Sequence, residues 1–341
     1  MSLLNPYATE HSSPQGPGDA RPAALHIVQD TGCIGQFQGK TILVTGYSSG
    51  IGLETALALH ATGADVFITA RDEAKGLSAL EYVRENSTGK GKIDFIMMDL
   101  DSLDSVRNGA KEFLQTSDKL NILVNNAGIM ATPYIKTIDG YERQFAVNHL
   151  AHFTLAILLL PTLISGSTQD FKSRIIQVSS SSHRYATVDL DDVHYEKRTY
   201  DPFKAYGQSK TALIWTANHL DRIYGETGVH ALSVHPGGIW SGLSQYLDQS
   251  QVEKWKKDRE MGKEMKSPAQ GAATTVWAAV APAVLEGKGG IYLAECKVST
   301  SSTMDQFSAL DDGYSPHAFD EEKERRLWDL SMEWCGLSQL G

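Results

Sequence analysis

A single-domain α/β fold on one doubly wound parallel sheet is predicted by three observations in this chain of 341 residues. Short apolar, β-branched runs alternate with stretches of helical periodicity from residue 41 to residue 293. A glycine-rich turn, Thr45-Gly46-Tyr47-Ser48-Ser49-Gly50-Ile51-Gly52, joins the first run to the first helix. The runs are apolar throughout rather than alternating, as in strands covered on both faces. Strand–helix alternation of this kind feeds parallel strands through crossover helices.

The elements follow in order. Thr41-Ile42-Leu43-Val44-Thr45 reads as a buried strand, followed by a helix with Leu53, Ala56, Leu57 and Leu59 inward. Asp65–Ala70 and Ile93–Met98 read as strands, and Leu103–Leu114 as a helix between the latter and a strand at Leu120–Val124. Gly140–Leu160 reads as a helix, Arg174–Val178 as a strand, Ala205–Tyr224 as a helix, Val229–Val234 as a strand, and Gly290–Leu293 as the last strand. Residues 1–37, rich in Pro, Gly, Ser and Ala, read as an N-terminal tail draped over the domain; residues 38–300 form the domain; residues 301–341 form a C-terminal extension packed on it. Two stretches break the rhythm after strand ends. Residues 183–204 are a polar insertion, and residues 240–267 read as an amphipathic helix with Leu243, Tyr246, Leu247, Val252 and Trp255 at helical spacing. Ligands bind beyond the carboxyl ends of such strands, so both are expected to wall a substrate pocket.

Composition narrows the function classes. A chain 41% hydrophobic and 21% charged is ordinary for a globular enzyme. The net charge of −10 disfavours nonspecific binding to nucleic acid or anionic membranes. Cys33, Cys296 and Cys335 are far apart, which argues against a disulfide scaffold or a cysteine metal site. The histidines show no metal spacing. No secretory signal is visible, and the longest apolar run, Phe153–Ile164, is shorter than the ~20 residues of a membrane span. A cytoplasmic enzyme without a membrane span is expected.

Two motifs carry chemistry. Gly46, Gly50 and Gly52 permit a tight turn and close backbone approach to a dinucleotide pyrophosphate. Tyr206 and Lys210, at i and i+4 in Tyr206-Gly207-Gln208-Ser209-Lys210, place a phenol and an ammonium on one helix face. A fixed positive charge lowers a phenol pKa and suits it to proton exchange near neutrality. Cofactor turn and proton donor together point to hydride transfer onto a carbonyl, or its reverse.

The glycine spacing, G-x-x-x-G-x-G, resembles the cofactor turn of the short-chain dehydrogenase/reductase family. Further segments resemble that family in order: Asn125-Asn126-Ala127-Gly128, Phe145-Ala146-Val147-Asn148-His149, Val178-Ser179-Ser180, Tyr206 with Lys210, and His235-Pro236-Gly237. The similarity is strongest to the retinol-dehydrogenase-like branch, through Gln144–Leu150, Gly290–Cys296 and Arg326–Ser331, and covers about residues 38–338. The resemblance implies a Rossmann-type fold and a catalytic set of Asn148, Ser180, Tyr206 and Lys210. Tyr206 would exchange the proton, Lys210 would lower its pKa and hold the ribose, a serine would bind the substrate oxygen, and Asn148 would hold a water that continues the proton path. Within Ser179–Ser182 the resemblance favours Ser180, with the register open. It also implies cofactor contacts from Gly46, Ser48, Ser49, Gly50, Ile51, Gly52, Asp99, Leu100, Asn126, Ala127, Gly128, Pro236, Gly237, Ile239 and Ser241. Gly238, where many relatives carry a bulkier residue, would leave the following loop freer.

An acid at the end of the second strand selects NAD, whereas a base accommodates the 2′-phosphate of NADP. Here Ala70 occupies the acid position and Arg71 follows, so NADP is expected. The implied reaction interconverts a ketone or aldehyde and an alcohol, without metal. Reduction of an activated C=C or C=N bond, or a non-catalytic NADP sensor, are the rival readings on the same scaffold. Tyr185, Tyr195, Tyr200, Trp240 and Tyr246 hint at a bulky apolar substrate, such as a ketone of specialised metabolism. A homo-oligomer is expected from the apolar run Ala151–Leu160 and from Leu213, Ile214 and Trp215 on the neighbouring helix.

Overall fold

The computed structural model describes residues 5–46, 50–281, 289–302 and 312–338. Eight strands form one sheet: β1 (Thr41–Thr45), β2 (Asp65–Ala70), β3 (Ile93–Met97), β4 (Ile122–Asn125), β5 (Ser173–Val178), β6 (Val229–His235), β7 (Ile291–Ala294) and β8 (Lys297–Val298). Their order is β3-β2-β1-β4-β5-β6-β7-β8. All neighbours are parallel except β7 and β8. Chain order reverses between β1 and β4, and there the carboxyl ends splay to leave a crevice. The predicted doubly wound α/β fold is the fold observed.

Both faces of the sheet are covered, which is why its strands read as unbroken apolar runs. On one face Ile42, Val44, Val66 and Ile68 pack under helices that include Ile51–His60 and Ala273–Val280. On the other, Leu43, Phe67, Leu123 and Ile175 meet Leu103–Thr116 and Ala151–Gly166.

The N-terminal stretch lies against this body and carries structure. The helix Ala24–Asp30 buries Ile27 and Val28 against it. Arg21, 4% exposed, donates to the backbone oxygens of Gly16, Lys263, Glu264 and Met265. Gln270 donates in return to the Arg21 carbonyl and the Asp19 carboxylate.

The helix read from Gly140 begins instead at Arg143 and runs to Gly166, with Glu142 capping the amides of Gln144 and Phe145. It widens to a π-type turn over Ala146–Leu150. Among the described residues this is the helix long and apolar enough to cross a membrane, and 83% of its apolar window is buried inside the protein. The amphipathic helix expected over 240–267 is three shorter pieces, Gly242–Tyr246, Gln249–Lys257 and Arg259–Glu264. Asp248 and Asp258 break it, because each carboxylate accepts the amides two and three residues on and starts a new helix. Only Val252 is buried within its middle piece.

The C-terminal helix Glu321–Trp334 packs along Pro202–Tyr224, with Glu324 accepting from Asn218 and Arg222. Leu327 and Trp328 join Phe153, Ile157 and Trp215 in one cluster. The apolar side chains that suggested a homo-oligomer are therefore consumed inside one chain: Leu213, Ile214 and Trp215 are buried.

Candidate active site

The crevice at the β1–β4 reversal is a cavity of about 430 Å³. Its floor is the turn after β1. Gly46 has φ +70°, and a Cβ there would sit 2.5 Å from the Ala127 Cβ, so both conformation and contact demand glycine. Asn126 holds this turn by donating to the carbonyls of Thr45 and Gly46, each at 2.9 Å. Among the described residues a Cβ on Gly50 would meet only Ser241, at 3.9 Å. Among the described residues no side chain caps the helix that starts at Ile51, and the amides of a helix N-terminus are the groups that take an anion.

Most expected cofactor contacts line this cavity: Gly46, Gly50, Ile51, Gly52, Arg71, Asp99, Leu100, Asn126, Ala127, Gly128, Pro236 and Ser241, together with Tyr206 and Lys210. Ser48 and Ser49 lie outside the described residues. Gly237 and Ile239 do not line it. Gly237 packs on the Lys266 side chain, and the Ile239 side chain points towards Gly271. The loop that Gly238 was expected to free is pinned: the Lys266 amide donates to the Gly238 carbonyl at 2.8 Å, and Ile239 bridges to Lys266. The residues 183–204 contribute nothing to the cavity wall, whereas Ser241, Gly242, Leu243, Gln245 and Tyr246 do. Tyr195 and Tyr200 pack on each other 5.1 Å apart, and Arg198 lies over Tyr195.

The polar chemistry converges from three elements. The Tyr206 hydroxyl lies beside the Ser180 side chain, close enough for that hydroxyl to lower its pKa. Ser180 Oγ also accepts the Ser182 amide, and the Ser180 carbonyl accepts from His183 Nδ1 at 2.7 Å. Ser179 lines the cavity, where Ser180 does not, and its hydroxyl donates to the Lys210 carbonyl at 2.8 Å. Within this serine run Ser180 neighbours the phenol and Ser179 closes a helix carbonyl. Lys210 Nζ donates to the Val178 carbonyl at 2.8 Å and lies 5.5 Å from the Tyr206 ring centre.

Asn148 sits in the π-type turn. Its amide donates to Ile129 O and Ser209 Oγ, and its Oδ1 accepts the Ile129 amide at 2.9 Å. A Cβ on Gly128 would lie 3.3 Å from Asn148 Oδ1 and 3.4 Å from Lys210 Nζ, so these two groups flank the same bare backbone.

Burial sets the protonation states. Desolvation raises Tyr206 to about 12, against the smaller lowering effect of the Ser180 hydrogen bond. Desolvation lowers Lys210 to about 7. The expected lowering of the phenol by Lys210 is thus reversed in the free chain, because both groups are out of water and Lys210 bonds a carbonyl rather than the phenol. Tyr206 is protonated at neutral pH.

Residues 40–252 match the short chain dehydrogenase sequence family. The chain belongs to the short-chain dehydrogenase/reductase family. It is 45% identical over 333 residues to the short-chain dehydrogenase/reductase prx1 of Penicillium roqueforti, covering 98% of this chain and 96% of that one. It is 42% identical to the oxidoreductase calI of Penicillium decumbens, covering 98% of each. Human retinol dehydrogenase 14 is 35% identical, covering 89% of this chain and 88% of that protein, which fits the retinol-dehydrogenase-like branch. Among solved structures, the Pseudomonas aeruginosa RhlG/NADP active-site complex superposes with a TM-score of 0.61 at 26% identity, covering 76% of this chain and 96% of that one. The chain is an oxidoreductase of this family, and the family uses nicotinamide cofactors.

Among the residues that line the short-chain dehydrogenase crevice without having been singled out from the sequence are Lys75, Asp101, Arg143 and Gln245. Lys75 was within reach of sequence reasoning. Asp72 caps its amide, which puts Lys75 in the first turn of the helix after Arg71. Arg143 was not, since its partner Asp101, met through Nε at 2.7 Å, is remote in sequence.

Proposed function

We propose that the protein is an NADP-dependent enzyme that interconverts a ketone or aldehyde and an alcohol. The observation that carries this reading is the Tyr206 phenol, beside Ser180 and with buried Lys210 Nζ 5.5 Å from its ring centre, at one end of a crevice whose other end is the glycine turn. The bound nicotinamide would supply or accept the hydride. The residues fit such a group: Gly46, Gly50 and the start of the helix at Ile51 would take the pyrophosphate, and Lys210 the ribose hydroxyls. Arg71 and Lys75, with Ala70 in place of an acid, would take a 2′-phosphate, which favours NADP.

In this reading the Ser180 hydroxyl donates to the substrate oxygen as negative charge grows there, and Tyr206 delivers its proton to the same oxygen. Lys210, drawn into its charged form by the ribose, then lowers the phenol and stabilises the tyrosinate left behind. Asn148 Oδ1, beside Lys210 Nζ at Gly128, holds a water that returns the proton. The fungal relatives and the aromatic residues Trp240 and Tyr246 support a bulky apolar substrate of specialised metabolism, handled in the cytoplasm. Any homo-oligomer would have to form over the C-terminal helix rather than over the face it covers.

A panel of ketones and aldehydes with NADPH and NADH tests this. Oxidation of NADPH with stoichiometric alcohol formation is expected. Turnover only of activated C=C or C=N compounds would replace the reading with the reductase alternative, and cofactor binding without any turnover with the sensor.

A further inference from the structure

We propose that His152 is a positioning residue that ties the Asn148 turn to the floor of the cofactor crevice. His152 lies one helical turn beyond Asn148 and is fully buried. Its Nδ1 is 2.8 Å from the Asn148 carbonyl oxygen, and its Nε2 is 2.8 Å from the Thr45 hydroxyl. A carbonyl oxygen can only accept, so Nδ1 carries the proton. Nε2 is then a lone pair, and the Thr45 hydroxyl donates to it at 2.8 Å rather than to the more distant Val124 carbonyl at 3.5 Å. The Thr45 oxygen is left to accept, and it takes the amides of Asn126 at 3.0 Å and Ala127 at 3.1 Å.

Every direction in this chain is fixed by its carbonyl end. It runs from the turn that carries Asn148, through one ring, to the end of β1, and on to the two amides that begin the β4 edge of the crevice. The ring is neutral: burial, with a smaller contribution from nearby Lys210, holds His152 at about 4, against the hydrogen bond to Asn148. A neutral ring adds no charge beside Lys210, so it can fix distances without competing for the proton. Both ends of the proposed reaction, proton path and cofactor floor, are referred to one buried imidazole. This role rests on the proposed reading of Asn148 and Lys210.

The test compares His152→Leu, which removes both bonds, with His152→Gln, whose amide can donate to Asn148 and accept from Thr45. For His152→Leu we expect NADPH dissociation to rise roughly tenfold and kcat to fall by up to about a hundredfold, as for a small misplacement of reacting groups. KM for the carbonyl substrate should stay unchanged. Amide exchange at Asn126 and Ala127 should accelerate. His152→Gln should recover most of each loss. The double variant Thr45→Val/His152→Leu should lose no more than the worse single one, since both cut the same chain. Equal losses for Leu and Gln, or additive losses in the double variant, would overturn the proposal. If His152→Leu does not fold, the ¹⁵N spectrum of the unaltered protein decides: a neutral Nδ1–H tautomer supports the chain, and an Nε2–H tautomer refutes it. A parent enzyme that turns over no carbonyl would defeat the functional reading alone, because the exchange and NADPH-binding measurements still report on His152.

Discussion

The floor of the crevice and its cover are held by opposite means. The floor, at the ends of β1 and β4, is fixed by what the backbone allows: Gly46 accepts no Cβ, and Asn126 closes the two carbonyls beside it. The cover, residues 237–246 and the segment behind them, is fixed from a distance. Lys266 pins Gly238, Arg21 pins the carbonyls of 263–265, and Gln270 pins Arg21. A site built by local geometry tolerates little change in a few residues. One built by remote tethers leaves its own residues free to vary and depends on residues far away in the chain.

Chemistry at the end of the crevice opposite the floor should give the largest effect. Tyr206→Phe removes the proton donor without disturbing the turn, and a positioned general acid is worth about 10²–10⁴-fold. Turnover should fall by that factor while NADPH binding, followed by nicotinamide fluorescence, stays within a few-fold. Parent-rate turnover in a variant that binds NADPH would remove Tyr206 from the mechanism.

The comparison itself is tested by Gly46→Ala against Arg21→Ala. The first imposes a strained φ and overpacks Ala127, each costing about 1–3 kcal/mol. Denaturant unfolding should show the sum, and NADPH binding should be lost with it. The second removes charged hydrogen bonds worth about 1.5–3 kcal/mol. Its signature should be faster amide exchange in 237–246 and 263–270, with the Gly46 turn unchanged. Exchange that spreads to β1 would mean that floor and cover are one unit.

A smaller effect is expected at the crevice edge. Arg71→Ala should weaken NADPH by about one to two orders of magnitude, the value of a charge-assisted phosphate contact, and leave NADH almost untouched. Lys75→Ala should act in the same direction and less. Equal losses for both cofactors would break the NADP assignment.

The same contrast explains what the sequence disclosed. The sheet was legible because each strand is apolar enough to be recognised alone, and the cofactor turn because glycine at Gly46 has a local cause. Tyr206 and Lys210 were legible through helical spacing. Ser180 was favoured within its run by resemblance alone, because the bond from Ser179 to the Lys210 carbonyl, across 31 residues, leaves no mark in the sequence. The break of 240–267 at Asp248 and Asp258 was legible in principle, because an aspartate followed by free amides is a capping signal that outweighs apolar spacing. The structured N-terminal stretch was hidden: Arg21 alone looks like a surface charge, and only the partners at Lys263–Met265 make it an anchor.

The smallest expected effect separates the two roles of Lys210. Burial holds its ammonium at about 7, well below the ordinary lysine value of about 10.5. Between these values the unfolded chain carries the proton and the free folded chain does not. Stability of the free protein therefore gains from this group as pH rises from about 7 towards 10, and the gain is absent below 7. Cofactor binding should slope the other way. Ribose hydroxyls accept from the charged form, so NADPH binding takes up a proton across the same window and its affinity falls as pH rises, by at most about tenfold per pH unit. Tyr206, raised to about 12, stays protonated there and does not contribute. Calorimetry of NADPH binding in two buffers of different ionisation enthalpy would measure the uptake directly. Lys210→Met should abolish both slopes. Proton uptake that persists in that variant would place the titrating group elsewhere, and Lys210 would then hold the ribose without having changed its charge.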